Sequence, residues 1–145
     1  MSLVENKKAR FNYEILETLE AGLDLTGAEV KSLRKGQASL EGARVTIDGN
    51  EAFLLGAYIA PYQPKNQPDY DPERPRRLLI GKEDIKELIG KEKTNRLTII
   101  PLSVYNKRRY LKLSIALVRG KRKFDKRETI KKRDTERDLG RSLKS

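Results

Sequence analysis

The strongest structural signal in the sequence is LTIIPLSVYNKRRYLKLSIALV, residues 97–118. Its two halves, residues 97–105 and 110–118, are rich in β-branched, aromatic and leucine side chains, which favour strands. Between them lies the polar segment 106–109, which carries one lysine and two arginines. We therefore predict a β-hairpin with a basic tip.

A further strand is predicted near the start of the chain. Residues 13–20 have an extended pattern, with Tyr13, Ile15 and Leu19 expected on one face. The dipeptide Ala21-Gly22 that follows is typical of a turn.

The centre of the chain predicts another hairpin and a short strand. Asp48-Gly49 separates two extended runs, residues 40–47 and 51–59, and Asp-Gly at such a place is a strong hairpin signal. Residues 78–80, Leu-Leu-Ile, predict a short buried strand.

Two short helices are also predicted. Thr26 and Glu29 have the spacing of a capping box, so a helix is expected to follow with Val30 and Leu33 facing inward. Gly36 is a suitable residue for its C-terminal end. A second helix is predicted over residues 82–91, with an apolar face and acidic residues in its first turn.

Residues 60–77 contain five of the six prolines and predict a long loop. Together, these features predict a mainly β fold: a small closed barrel of the OB type with one or two short helices. Asp69, Asp71 and Glu73 gather in the loop, but they lack the glycine turn and terminal glutamate of a calcium loop. A solvated loop explains them better than a metal site does.

The net charge is +11, and it is concentrated at the C-terminus. Residues 119–145 hold 12 basic and 5 acidic side chains, which gives +7 of that total. We expect two parts: a barrel at residues 1–118 and a basic tail at residues 119–145, disordered when free because its apolar residues are sparse. So large a basic excess favours nucleic acid as the partner, with an anionic membrane surface as the second option.

The composition excludes several classes of function. The chain has no cysteine and no histidine, so it lacks thiolate metal ligands, disulfides and the commonest general base. Without any recognisable catalytic motif either, we expect no enzymatic activity, no cofactor and no bound metal. No apolar run is long enough for a membrane span and the N-terminus is too polar for a signal peptide, so a cytoplasmic protein is expected. A monomer is expected because no exposed apolar stripe requires a mate.

Three groups of residues are candidates for RNA contact. The tail segment 120–127 combines dense basic charge with Phe124, which is suited to stacking on an unpaired base, and this favours RNA contact over the alternative of a solvated basic tail. Glu20 can accept hydrogen bonds from a base edge, yet a lone glutamate at a strand end is more often a surface residue. Arg10, Lys31 and Arg34 form a second basic group, and a solvated helix face of mixed charge explains them equally well.

Several ordered segments resemble the SmpB family of transfer-messenger-RNA-binding proteins. The most specific of them are Glu20-Ala21-Gly22-Leu23 and Gly27-Ala28-Glu29-Val30-Lys31-Ser32-Leu33-Arg34. Others are residues 6–13 and 58–62, residues 71–74 with 77–79, and Gly120-Lys121 with Asp125-Lys126-Arg127. The resemblance covers residues 6–127. In the family a histidine often precedes this aspartate, where this chain has Phe124.

The resemblance implies an adaptor of trans-translation. Such a protein binds the transfer-RNA-like domain of transfer-messenger RNA, delivers it to the A site of a stalled ribosome and inserts its tail into the empty messenger channel. It implies contact with transfer-messenger RNA at Glu20 and Leu79, with Asn6 and Arg34 on the same surface, to which we add Arg10 and Lys31. It implies contact of the tail with the small-subunit RNA of the decoding centre and messenger channel, where the candidate residues are Lys121, Arg122, Lys123, Phe124, Asp125, Lys126, Arg127, Lys131, Lys132 and Arg133.

Two other hypotheses remain from the residues alone. A general single-strand RNA-binding OB module, or a ribosome-associated protein with a basic arm, would bind unrelated RNAs with similar affinity and steep salt dependence. A nuclease using the acidic loop would cleave RNA in the presence of Mg²⁺.

Overall fold

The structure is a computed structural model that describes residues 2–95 and 97–120. The side chains of Arg10, Thr94 and Asn95 lie outside this description. The predictions for the tail, from Lys121 onward, also fall outside the described residues.

The described chain consists mainly of strands, with three α-helices and one short 3₁₀ segment at Pro64–Asn66. In chain order the elements are β1 (Ser2–Glu5), α1 (Ala9–Asn12), β2 (Tyr13–Leu23), α2 (Gly27–Arg34), β3 (Ala38–Ser39), β4 (Arg44–Asp48), β5 (Glu51–Leu55), β6 (Tyr58–Ile59), β7 (Arg76–Leu79), α3 (Lys82–Asn95), β8 (Thr98–Lys107) and β9 (Tyr110–Gly120).

Six of the strands close into an antiparallel barrel. The order is β8-β4-β5-β7-β2-β9, and β9 pairs again with β8 to complete the ring. Strand β1 extends the sheet along β8, and β3 pairs separately with β6. The interior is filled by aliphatic side chains, among them Leu54, Ile99, Leu113 and Ile115, each at most 2% exposed. The predicted mainly β, OB-like barrel is confirmed.

The predicted β8–β9 hairpin is confirmed and is one of the two most extensive strand pairings in the fold, beside that of β2 with β9. Pairing of Lys107 with Tyr110 leaves Arg108 and Arg109 as a two-residue turn. Arg108 has a φ of 59°, a left-handed conformation that suits a tight hairpin turn.

Strand β2 differs from its prediction in two ways. It does not turn at Ala21-Gly22 but continues to Leu23. The pairing register also shifts between Ile15 and Glu17, which is a β-bulge. Because one extra residue reverses the alternation, Leu19 packs inside the barrel whereas Tyr13 and Ile15 pack outside it, against a cluster of Ala9, Ile100, Ala116 and Val118.

The second hairpin is confirmed with a shift of one residue. Asp48 pairs with Glu51, so the turn is Gly49-Asn50, with φ of 63° at Gly49. The extended run predicted after it is interrupted at Gly56, which also has a positive φ.

The helices agree well with the pattern. The capping box at Thr26 and Glu29 is present, and Leu33 is buried. Helix α3 extends to Asn95, four residues beyond its predicted end. The short elements β1 and α1 were not predicted, since each spans four residues and gives too brief a pattern.

Candidate RNA-binding surface

Four adjacent strands bring a row of paired residues to the outside of the barrel. Leu79 on β7 pairs with Gly22 on β2, Gly22 pairs with Lys112 on β9, and Lys112 pairs with Tyr105 on β8. Directly paired residues point to the same side of a sheet. These four residues therefore lie on one face of the sheet, although they come from widely separated parts of the sequence.

Leu79 is the most exposed residue of the row. The pattern predicted a buried strand residue, but the side chain is 51% exposed because Leu78 takes the inward position. A β-carbon at Gly22 would lie 3.1 Å from the Leu79 Cβ, closer than most real contacts. Gly22 is therefore explained by close packing beneath Leu79, and not by a turn.

Glu20 lies on the same outer face, two residues from Gly22 along β2. It pairs with Ser114 within the strand and does not stand at a strand end. The Tyr105 hydroxyl donates a hydrogen bond to Glu20 Oε2, and Lys107 Nζ donates to Oε1 at 3.1 Å. Both bonds lower the pKa of Glu20, and the bond from Tyr105 has the larger effect. Burial and the bond to Glu20 raise the pKa of Tyr105 to about 12. The carboxylate is thus ionised and fixed in orientation.

The tip of the β8–β9 hairpin lies beside the last turn of α2. Arg34 Nη2 donates a hydrogen bond to the Arg109 carbonyl at 3.0 Å. Tyr110, at the start of β9, is 64% exposed, and the turn of Arg108 and Arg109 precedes it directly. An exposed aromatic ring among cations is suited to stacking on a nucleic-acid base. Sequence reasoning identified the basic tip but missed Tyr110, although a tyrosine directly after Lys-Arg-Arg was the available signal.

Asn6 lies farther along the same face. Its side chain donates to the Pro101 carbonyl at 2.9 Å, which holds it beside β8. A groove of about 470 Å³ connects this position with β2 and β9, and it is lined by Glu5, Asn6, Lys7, Thr18, Leu102, Ser103 and Ser114. Since Ser114 pairs with Glu20, the groove runs from Asn6 toward Glu20.

The other predicted contacts are divided. Lys31 lies over the Tyr62 ring, with Nζ 5.3 Å from the ring centroid, on the side of the proline-rich loop. Arg34, by contrast, contacts the hairpin tip. Arg10 belongs to α1, directly before β2.

A buried polar cluster attaches the proline-rich loop to α2. Glu29 is 1% exposed and Arg76 is fully buried; they form an ion pair at 2.7 Å, and Arg74 pairs with the other carboxylate oxygen. Tyr70 accepts a hydrogen bond from Arg76 at 2.8 Å and donates to the Ile59 carbonyl at 2.8 Å. Burial opposes ionisation of Glu29, but bonds from Arg74, the Thr26 amide and Arg76 outweigh it and lower its pKa to about 2.

Within the described residues, no three potential ligands gather into a metal-binding group. In the loop, Asp71 Oδ1 accepts a hydrogen bond from the Glu73 backbone amide at 2.9 Å. Among the described helices, none has the length and hydropathy needed to cross a membrane.

The fold and the surface together define a class of protein. A small closed barrel carries a basic hairpin tip, exposed apolar and aromatic side chains and one oriented carboxylate on a single outer face. Cationic and aromatic groups on such a barrel are typical of proteins that bind single-stranded or irregular RNA.

Comparison with known proteins gives the family. The sequence model described as "SmpB protein" matches residues 3–145. The chain belongs to the SmpB family. It is 48% identical to the SsrA-binding protein of Trichodesmium erythraeum over 141 residues, which cover 97% of this chain and 90% of that protein. It is 49% identical to the SsrA-binding protein of Persephonella marina over 139 residues, covering 96% and 91%.

The fold is also similar to a solved structure reported as "tmRNA-SmpB: a journey to the center of the bacterial ribosome". The TM-score is 0.68 and the sequence identity is 43%. The similarity covers 87% of this chain and 92% of the other.

Proposed function

We propose that this chain is an RNA-binding adaptor of trans-translation. It binds the transfer-RNA-like domain of transfer-messenger RNA and delivers it to the A site of stalled ribosomes in the cytoplasm, where the nascent peptide is tagged and the ribosome released. The observation that carries this proposal is the family match over residues 3–145, which includes the barrel and the basic tail.

The outer face of the barrel provides the contacts with transfer-messenger RNA. Glu20 accepts hydrogen bonds from a base or a ribose hydroxyl, because its orientation is already fixed by Tyr105 and Lys107. Leu79 provides an apolar surface for a base or ribose. Arg34 and the tip arginines neutralise phosphates, and Asn6, Arg10 and Lys31 extend the basic and polar surface.

The tail provides the second contact, with the ribosome. The basic tail of residues 119–145, whose first two residues end strand β9, orders beyond Gly120 in the empty messenger channel, with its contacts to the decoding centre made by Lys121, Arg122, Lys123, Phe124, Asp125, Lys126, Arg127, Lys131, Lys132 and Arg133. Its charge of +7 suits a channel lined by RNA. The protein acts as a monomer and without catalysis of its own.

The test of the barrel's role is competitive binding at near-physiological salt. Labelled transfer-RNA-like domain competes with ordinary transfer RNA and with single-stranded RNA of equal length, for the wild type and for Glu20→Ala. We expect strong preference for the transfer-messenger fragment, weakened in the variant. Equal affinity for all three RNAs, unchanged in the variant, would instead identify a general RNA-binding barrel.

Truncation tests whether the barrel alone binds transfer-messenger RNA and whether the tail is needed for tagging. The cut should follow Gly120, because β9 extends to that residue and a shorter chain would shorten the barrel strand. The truncated protein is expected to keep its affinity for transfer-messenger RNA and to lose peptide tagging on stalled ribosomes. Loss of RNA binding on truncation would contradict the assignment.

A further inference from the structure

A groove of about 380 Å³ lies at the start of α2, between the helix and the proline-rich loop. It is lined by Gly27 and Ala28 on the helix side and by Tyr62, Gln63, Gln67 and Tyr70 on the loop side. Its volume is within the range of small-ligand sites. Apart from its chain neighbours and the backbone of its own helix, no atom lies within 4 Å of the place that a β-carbon on Gly27 would take, so the groove is open at the helix end.

Two lysines converge on the aromatic wall of this groove. Lys31 Nζ and Lys35 Nζ lie 5.3 and 4.8 Å from the centroid of the Tyr62 ring. Neither ammonium group has an ion pair with a carboxylate of the described residues. The excess positive charge beside the Tyr62 ring favours an anionic ligand with a flat apolar part.

The loop also offers hydrogen-bond donors. Gln67 Oε1 accepts from the Gln63 backbone amide at 3.1 Å, and Gln63 Oε1 accepts from Asn66 Nδ2 at 2.9 Å. With their oxygens engaged in this way, the two glutamines present their amide nitrogens, which have no acceptor among the described residues. Such donors match the carbonyl oxygens and ring nitrogens at the edge of a base.

The groove is held in place before any ligand enters. Tyr70 is fixed by the buried cluster of Glu29 and Arg76 and by the Ile59 carbonyl. The 3₁₀ segment Pro64–Asn66 shapes the loop between the two glutamines. A site ordered in advance requires little loss of conformational entropy on binding.

From these observations we propose that the groove binds one unpaired nucleotide of RNA, with its base against Tyr62, its edge at Gln63 and Gln67, and its phosphate at Lys31 and Lys35. The proposal rests on the proposed function in that the ligand is RNA. It adds a second contact about 10 Å from Arg34, the length of the helix between residues 27 and 34. A strand bound at the hairpin tip thus has a neighbouring subsite.

The first experiment follows backbone amides of the ¹⁵N-labelled full chain by NMR. The protein is titrated with a hexaribonucleotide and, separately, with uridine and adenosine monophosphates. Binding of the hexaribonucleotide is expected to shift the amides of Gly27, Ala28, Gln63 and Gln67 at lower concentration than either monophosphate does. A response to the monophosphates alone would identify a free-nucleotide site and overturn the RNA proposal, as would an absence of any response in the groove.

Variants then test the stacking. Tyr62→Ala is expected to weaken binding of the hexaribonucleotide at least about fivefold, the lower end of the effect of removing one stacked base. Tyr62→Phe should bind within about twofold of the wild type, because the ring is kept. Tyr58→Ala, a matched control at an exposed tyrosine of β6, should have no effect. Equal binding by Tyr62→Ala and wild type would overturn the proposal, provided far-UV circular dichroism shows that the variant is folded.

Failure of the nucleotide-groove proposal can be distinguished from failure of the proposed adaptor function. If the transfer-messenger fragment binds with the expected preference and Glu20→Ala weakens it, the adaptor function stands whatever happens in the groove. A groove that binds RNA in a protein without that preference would support the subsite while contradicting the adaptor role.

Discussion

Two glutamates, Glu20 and Glu29, have similar partners in different surroundings. Each lies within hydrogen-bond distance of a tyrosine hydroxyl, and each accepts a hydrogen bond from a cationic side chain. Glu29 is buried among Tyr70, Arg74 and Arg76, whereas Glu20 is exposed on the outer face of the barrel.

The difference decides what each cluster contributes. Removing one member of a buried ion pair leaves the other charge buried without a counter-ion, so the Glu29 cluster should affect the stability of the fold. An exposed pair contributes little to stability because water competes with it. The Glu20 cluster instead leaves a fixed carboxylate and an exposed leucine in position for a partner.

The largest expected effect is that of Glu29→Ala, which leaves Arg76 buried without its carboxylate. We expect the free energy of unfolding to fall by about 3–5 kcal/mol, measured by urea denaturation followed by circular dichroism. Glu29→Gln, which keeps the shape and some hydrogen bonds, is the control and should lose less. A loss in Glu29→Ala within experimental error of zero would mean that the cluster does not stabilise the fold.

Acid should weaken the same cluster. The pKa of Glu29 is lowered from 4.5 to about 2, so its contribution is fully present above pH 4.5 and is lost as the pH falls toward 2. The expected loss is about 3 kcal/mol. It is measured as the difference in unfolding free energy between the wild type and Glu29→Gln at pH 6 and pH 2.5. A difference that does not change with pH would contradict the lowered pKa.

Tyr110→Ala tests a residue that we expect to affect RNA binding and not stability. The ring is exposed at the hairpin tip, so its loss should leave stability nearly unchanged while the affinity for transfer-messenger RNA falls by about 1–3 kcal/mol, the value of one stacked base. Fluorescence anisotropy with labelled RNA measures the change. Tyr110→Phe should bind as the wild type does, and equal weakening by both variants would argue for the hydroxyl and against stacking.

Only a small effect on stability is expected for Glu20→Ala. Because Glu20 is exposed, its loss should shift the urea midpoint far less than Glu29→Ala does. The same variant should still weaken RNA binding. A midpoint shift as large as that of Glu29→Ala would remove the distinction between the two clusters.

Features that depend only on residues close together in the sequence were predictable. The capping box of Thr26 and Glu29, the two hairpins and the mainly β composition depend on neighbouring residues alone. The concentration of charge in residues 119–145 is likewise a property of the sequence. Resemblance to the family suggested Glu20 and Leu79 as RNA contacts, although the pattern gave no reason to prefer Leu79.

Tertiary structure decided the arrangement of the surface. The bond between Tyr105 and Glu20 joins residues 85 positions apart, and the ion pair of Glu29 joins Arg76 on another element. Closure of the barrel fixes such neighbours through strand register, which periodicity does not reveal. A single bulge after Ile15 reversed the faces of β2, because one inserted residue exchanges inside for outside in every position that follows.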